Sequence, residues 1–371
     1  RLTPEIQLTQ TGYRTIWENK AELNVTLQQE LNFITKGLIF EGTYAFDTQN
    51  SNITNRRKLP ELWVAQNYRD QKGQLILRRT SNPQTMTQTV TTEGWKRNYL
   101  RAHLKYNRLF AEVHRVGAYA MLYQEQNADT RLANEGDIIA SIPHRNLAYS
   151  GSFTYAFRDR YLVEFNWGYT GSENFEHGKQ FGFFPSYSAG WVISEEPFIK
   201  RIAPWLEMLK IRGSYGLVGN DNIGGQRFPY ISLIGTTSGY NWGEFGSHGI
   251  QGYRITTVGT PKLTWETAKK YNLGIDFNLF NSKLTGTVDI YKDVRDDIFM
   301  RRNHMPLTTG LADQTPMANV GRMKATGWDG NIAFLQRIGQ VDITLRANMT
   351  YQNNEIVDRD EAANELWYKM D

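Results

Sequence analysis

Between Tyr149 and Tyr169, apolar and polar positions alternate through two complete runs. Tyr149, Gly151, Phe153, Tyr155 and Phe157 interleave with small or polar residues, and Tyr161, Val163, Phe165, Trp167 and Tyr169 do the same. Only Arg158, Asp159 and Arg160 separate them. A period of two sets one face rich in rings against one polar face, so the stretch predicts a β-hairpin. The core face of a soluble sandwich would be aliphatic, whereas rows of Tyr, Trp and Phe fit strands that face lipid between aromatic girdles.

The same alternation can be traced through about twelve segments. It is clear at Ala21 to Leu31, Leu38 to Phe46, Ala102 to Tyr106, Val116 to Leu122, Tyr271 to Leu279, Leu284 to Ile290 and Val341 to Tyr351. It is less clean at Phe183 to Ile193, Leu209 to Leu217 and Ile332 to Phe334. Tight turns are expected near Thr35–Gly37, Ala111–His114, Arg158–Arg160, Asn281–Lys283 and Ile338–Gln340, at lengths normal for hairpins. Between them lie long excursions: Thr48 to Gly94, Asn127 to Arg145, Ser172 to Gly182, Asn220 to Pro261, Val294 to Ala325, and Asn353 onward. Ser194 to Glu207 falls where a tight turn is due and has the composition of a short helix. Brief turns on one side and long loops on the other are how outer-membrane barrels are built. The fold class read from the pattern is therefore all-β, an antiparallel transmembrane β-barrel. The whole chain, 1–371, is expected to be one barrel segment with short periplasmic turns and long extracellular loops.

Composition sharpens this reading. The chain has 371 residues, 13% of them aromatic, and no cysteine, so neither disulfides nor thiolate chemistry is available. Mean hydropathy is negative, and no stretch approaches the roughly 18 uninterrupted apolar residues of a transmembrane helix. A barrel tolerates such an average because half of each strand faces the lumen. Net charge is only +4, with 42 basic against 38 acidic residues and no long like-charge blocks, which gives nucleic-acid binding little support. Arg1 opens the chain without an initiator Met or a signal peptide, so the sequence reads as an excised middle whose export signal lies upstream.

Specific motifs extend the picture. IPHRN from Ile142, YRDRYLVEFNWGYTGSENF, FGFFPSYSAGWVISEE and LKIRGSYGLVGND, together with TQTGYR at Thr9 and FITKGL at Phe33, resemble the SusC/RagA branch of TonB-dependent outer-membrane transporters. The likeness spans nearly the whole chain. It implies a middle portion of a barrel of about twenty-two strands, with the plug domain and the TonB box both before Arg1. It also implies a SusD-like surface lipoprotein as partner, a TonB complex engaged through the upstream region, and an oligosaccharide or peptide ligand. The implied location is the outer membrane of a Gram-negative, Bacteroidetes-like cell.

Candidate chemistry lies in the excursions. Tyr240, Asn241, Trp242, Glu244, Phe245 and Tyr253 combine flat rings for pyranose faces with amide and carboxylate groups for hydroxyls. The competing reading is that these aromatics pack a large loop against its neighbours or a partner. Trp63 and Tyr68 offer the same chemistry in the first excursion. Asn220, Asp221, Asn222 and Gly224 resemble part of a calcium loop without its bidentate acid, so an extracellular turn is favoured. Asp293, Asp296 and Asp297 read as a solvated acidic rim, with a cation or ligand hydroxyls as the alternative. His103, His114, His144, His177, His248 and His304 show no metal spacing, and neither a phosphate loop nor a nucleophile elbow is present. No metal, cofactor or catalytic residue is assigned. The function expected is TonB-dependent import of oligosaccharides across the outer membrane. The alternatives are an oligopeptide importer of the same family, an outer-membrane barrel enzyme, or a β adhesin.

Overall fold

The computed structural model describes residues 3–130, 138–224, 227–302, 308 and 316–361. A helix, Pro4–Gln10, precedes β1 (Gly12–Glu30), β2 (Leu38–Leu59), β3 (Leu62–Arg69), β4 (Leu75–Ser81) and β5 (Gln84–Phe110). Next come β6 (His114–Asp129), β7 (His144–Phe157), β8 (Tyr161–Ser172), β9 (Phe181–Val192) and β10 (Leu206–Asn220). The remaining strands are β11 (Leu233–Trp242), β12 (His248–Thr257), β13 (Glu266–Leu279), β14 (Leu284–Arg301), β15 (Met317–Ile338) and β16 (Val341–Asp358). Twelve of them form one sheet in the order β1-β2-β5-β6-β7-β8-β9-β10-β13-β14-β15-β16, while β3–β4 and β11–β12 form separate two-stranded ribbons. From β7 onward every neighbouring pair in the sheet is antiparallel.

Packing divides the chain into two compact units. The first spans Arg1–Val25, Tyr44–Tyr99 and Glu125–His144 and carries the β3–β4 ribbon. The second spans Thr26–Thr43, Leu100–Gln124 and Arg145–Asp371 and carries β7 to β16.

The β5–β6 and β7–β8 connections have three residues each, and the first two of each close a tight turn in left-handed backbone. Ala111 and Glu112 (φ 48° and 60°) and Arg158 and Asp159 (φ 52° and 53°) adopt left-handed backbone without a glycine. The longer connection on this side holds a helix, Pro197–Ile202, with proline in its first turn, where no amide hydrogen is needed.

Several excursions are ladder rather than loop. β2 runs on to Leu59 and β5 begins at Gln84, so Thr48 to Gly94 is mostly paired strand plus the β3–β4 ribbon. Likewise β14 continues to Arg301, β15 starts at Met317, and β16 extends to Asp358. Beyond the membrane no lipid imposes an apolar row, so the alternation fades while the backbone keeps pairing. Polar cross-strand contacts replace it in the first unit: Thr92 donates to Asn52 at 3.0 Å and Arg56 to Gln88 at 3.0 Å.

Within the second unit the outward rows carry two aromatic belts. Phe157, Tyr161 and Trp191 stack at 6.3 Å spacing near the short turns. Tyr149, Tyr169 and Phe181 lie 6.5 and 4.9 Å apart near the long connections. On β7 and β8 the belts are eight residues apart. That is ~26 Å along a strand, or ~20 Å along the membrane normal at a tilt of ~40°, close to the ~25 Å apolar band of an outer-membrane barrel. Between the belts Phe153, Val163 and Tyr187 remain exposed. Among the described residues no second layer covers these rows.

Candidate ligand-binding hairpin and inner wall

All six loop residues singled out by sequence lie on the β11–β12 hairpin or its tip. The register divides them. Tyr240 pairs with Ile250 and Trp242 with His248, whereas Tyr253 pairs with Thr236. A bulge between Thr237 and Tyr240 puts one extra residue into β11. Pleat alternation counted through that bulge sends Tyr240 and Trp242 to one face, and Tyr253 and Asn241 to the other. Tyr240 and Trp242 meet edge to face, 4.8 Å between centroids and 64° between planes. Glu244 and Phe245 form the tip, and Phe245 is 99% exposed with φ 56°. A bulky ring in left-handed backbone costs about 1–3 kcal/mol, a strain that clusters at functional sites.

The base of the hairpin is packed. Phe175, Ile223 and Leu263 form a small buried core, with Trp265 and Phe299 packed against it. Phe175 lies 4.9 Å and Phe184 5.2 Å from the Trp265 ring. Asn319 accepts from the Thr264 amide at 2.9 Å and donates to the carbonyls of Thr264 and Asp297 at 2.9 and 2.7 Å. Sequence reasoning missed this core, because its members are far apart in the chain and share no period. Asn220 and Asn222 accept from the amides of Asn222 and Gly224 at 3.1 and 3.2 Å, which makes Asn220 to Gly224 a pair of side-chain-closed turns at the end of β10.

The inward face carries rows of paired charge. Arg212 donates to Asp289 at 2.7 Å, Asp276 at 3.2 Å and Asn272 at 3.4 Å. Gly274 makes room for it, since a Cβ there would stand 2.6 Å from the guanidinium carbon. A cavity of about 420 Å³ opens beside this cluster, lined by Arg115, Glu164, Ser188, Lys210, Arg212 and Asn272. Further along, Glu41 lies within 3.3 to 3.5 Å of Arg101, His103 and Lys105. Two aspartates of the acidic rim are paired: Asp296 sits between Lys269 and Arg322, both at 2.9 Å, and Asp293 is 3.7 Å from Lys270. These aspartates also lie inside β14 rather than beyond a strand end. Among the described residues no three His, Asp or Glu side chains gather at metal-binding distance. His304 lies outside the described residues. Trp63 is in β3 and Tyr68 follows on the same strand, both exposed and apart from the β11–β12 hairpin in sequence.

An antiparallel sheet with rings outward, charge inward and belts at membrane spacing defines an outer-membrane β-barrel segment. The chain belongs to the TonB dependent receptor-like, beta-barrel family, whose model matches residues 4–367. Within it the resemblance is to SusC/RagA-type transporters. The TonB-dependent receptor SusC of Bacteroides thetaiotaomicron is 32% identical over 57% of this chain and 20% of its own length. The TonB-dependent receptor P39 of Formosa agariphila is 32% identical over 55% of this chain and 18% of its own. The RagAB peptide importer in its closed-closed state superimposes with a TM-score of 0.65 at 20% identity, over 95% of this chain and 38% of that chain. The matches span 18 to 31% of the length of the curated relatives.

Proposed function

We propose that the intact protein is an active importer of oligosaccharides, working with a SusD-like surface lipoprotein and powered through TonB. The observation that carries the reading is the paired Tyr240 and Trp242 face on a hairpin whose base packs beside a small buried core, on a sheet with a polar inner wall. The exposed Trp242 ring offers a flat surface to a sugar ring, with Tyr240 buttressing it edge to face, and Glu244 at the tip supplies a carboxylate for hydroxyls. The charged inner face lets a hydrated cargo pass without a greasy barrier.

β1 and β16 stand at the two ends of the sheet order. In lipid, each unpaired backbone group on such an edge costs several kcal/mol, so further strands complete the barrel. We take the full set to be about twenty-two, around an upstream plug. Oligopeptide import is the second reading, because β11 and β12 pair only with each other and their free edges suit strand addition by an extended peptide. The RagAB neighbour is a peptide importer.

Calorimetric titration of the purified protein with oligosaccharides tests the site. Trp242→Ala and Tyr240→Ala should each weaken binding by about tenfold, ~1.4 kcal/mol, and Tyr253→Ala, on the other face, should change it little. Equal affinity in all three variants, or tight binding of peptides alone, contradicts the oligosaccharide reading. Uptake by whole cells should stop when the proton-motive force is collapsed.

A further inference from the structure

Positive charge is concentrated in the first excursion. From Ser51 to Thr92 the sequence holds seven basic and two acidic residues, a net charge of +5, while all 371 residues together carry only +4. The stretch comprises the outer end of β2, the β3–β4 ribbon and the start of β5, all within the first unit. Arg56 lies six residues past Asn50, after which both faces of β2 are polar. That is ~20 Å along the strand and ~15 Å along the membrane normal at a tilt of ~40°, beyond a headgroup layer ~5–8 Å deep. The charge therefore stands above the lipid headgroups, in the aqueous medium.

Both acids of this stretch are already engaged. Asp70 accepts from the amides of Lys72 and Gln74 at 2.9 and 2.7 Å and so closes the turn of the ribbon, and Glu61 lies 3.3 Å from Arg79. Arg56 donates to Gln88 at 3.0 Å with its guanidinium 5.2 Å from the Tyr13 ring centroid, and Arg69 donates to the Gly73 carbonyl at 2.9 Å. Among the described residues no carboxylate pairs with Arg57, Lys58, Lys72 or Arg78, and all four are exposed. Rings stand among these cations. Trp63 is opposite Arg79 in the ribbon register, so an exposed indole and a guanidinium share one face.

Like charges left unpaired on one exposed ladder raise the local potential, which draws anions and repels cations. A guanidinium meets sulfate or carboxylate oxygens through paired hydrogen bonds, and an open indole beside it suits the apolar face of a sugar. We propose that this projection captures an acidic oligosaccharide, one that carries sulfate or carboxylate groups. A sugar ring rests on Trp63 and an anionic group meets Arg79, while Arg57, Lys58 and Arg78 supply the surrounding field. The inference rests on the oligosaccharide reading above and narrows its substrate class.

Calorimetric titration of the purified protein with a sulfated oligosaccharide, and with the same oligosaccharide after desulfation, tests this. The wild type should bind the sulfated form about tenfold more tightly, and the preference should shrink as salt is raised. The variant Arg57→Gln, Lys58→Gln, Arg78→Gln, Arg79→Gln should lose the preference, and Trp63→Ala should weaken binding of the sulfated form while the salt dependence stays. Heat-modifiable gel migration will confirm that each variant forms a barrel. Equal binding of the two forms by the wild type, or an unchanged preference in the fourfold variant, overturns the proposal. So does a single-stranded oligonucleotide that competes as well as the sulfated sugar, since the surface would then read charge alone. Desulfated sugar that binds equally well, and is lost in Trp242→Ala, would overturn this proposal and leave oligosaccharide import standing, whereas failure of both sugars to bind would remove the two together.

Discussion

Glu196 shows how single residues hold the turn side together. It accepts from the Tyr161 hydroxyl at 2.7 Å and the Trp191 indole at 3.2 Å, with Arg160 at 3.6 Å. The Tyr161 bond above all holds its carboxyl below the ordinary carboxylate range. A depressed folded value means the contribution is present above the unfolded value of about 4.3 and fades as pH falls through the folded one. Protease resistance of Ser194 to Glu207 should therefore drop in acid, and Glu196→Gln should flatten that profile. A wild-type profile that stays level in acid contradicts the assignment. Little of this was legible beforehand, since Glu196 read only as part of a short helix. The hairpin residues were legible by composition but not by face, because no sequence signal announced that the Ser238–Gly239 region would carry a bulge. Similarly, the turn at Ala111 and Glu112 was readable from its length alone, as neither residue is one that left-handed backbone favours.

At the scale of elements, the lipid-facing and inward-facing rows of one strand should answer differently to charge. Phe165 lies midway between the belts, 5.0 Å from the Tyr187 ring, and Asn166 faces inward beside Glu164 at 2.8 Å. Phe165→Arg should cost ~2–4 kcal/mol in bilayer unfolding titrations, and Asn166→Arg should cost little. Similar losses at both positions contradict the assignment of faces. Where membrane dictates a period of two, strands were plain in the sequence. Where strands climb beyond it, as β2 does after Asn50, both faces are polar and the period disappears, although the ladder persists. The Phe175, Ile223 and Leu263 core was hidden for the opposite reason, because three loops meet there without any shared pattern.

At the scale of the whole molecule, the proposed import assigns capture and passage to separable parts. The stem of the hairpin is closed by the Thr260 amide on the Pro229 carbonyl at 2.8 Å and the Gly259 amide on the Ser232 hydroxyl at 3.0 Å. Replacing Leu233 to Thr257 with a short Gly-Ser link should leave barrel assembly intact, as read by gel migration, while ligand binding falls about tenfold or more. Undiminished binding would move the capture site elsewhere. The central claim is that the ring-bearing rows face hydrocarbon. Because the chain has no native cysteine, single cysteines can be introduced at each position from Tyr161 to Tyr169 and spin-labelled in bilayers. Odd positions should be accessible to oxygen and even positions to a water-soluble nickel reagent, in strict alternation. Odd positions shielded from both reagents would mean that protein, not lipid, covers them, and would contradict the account.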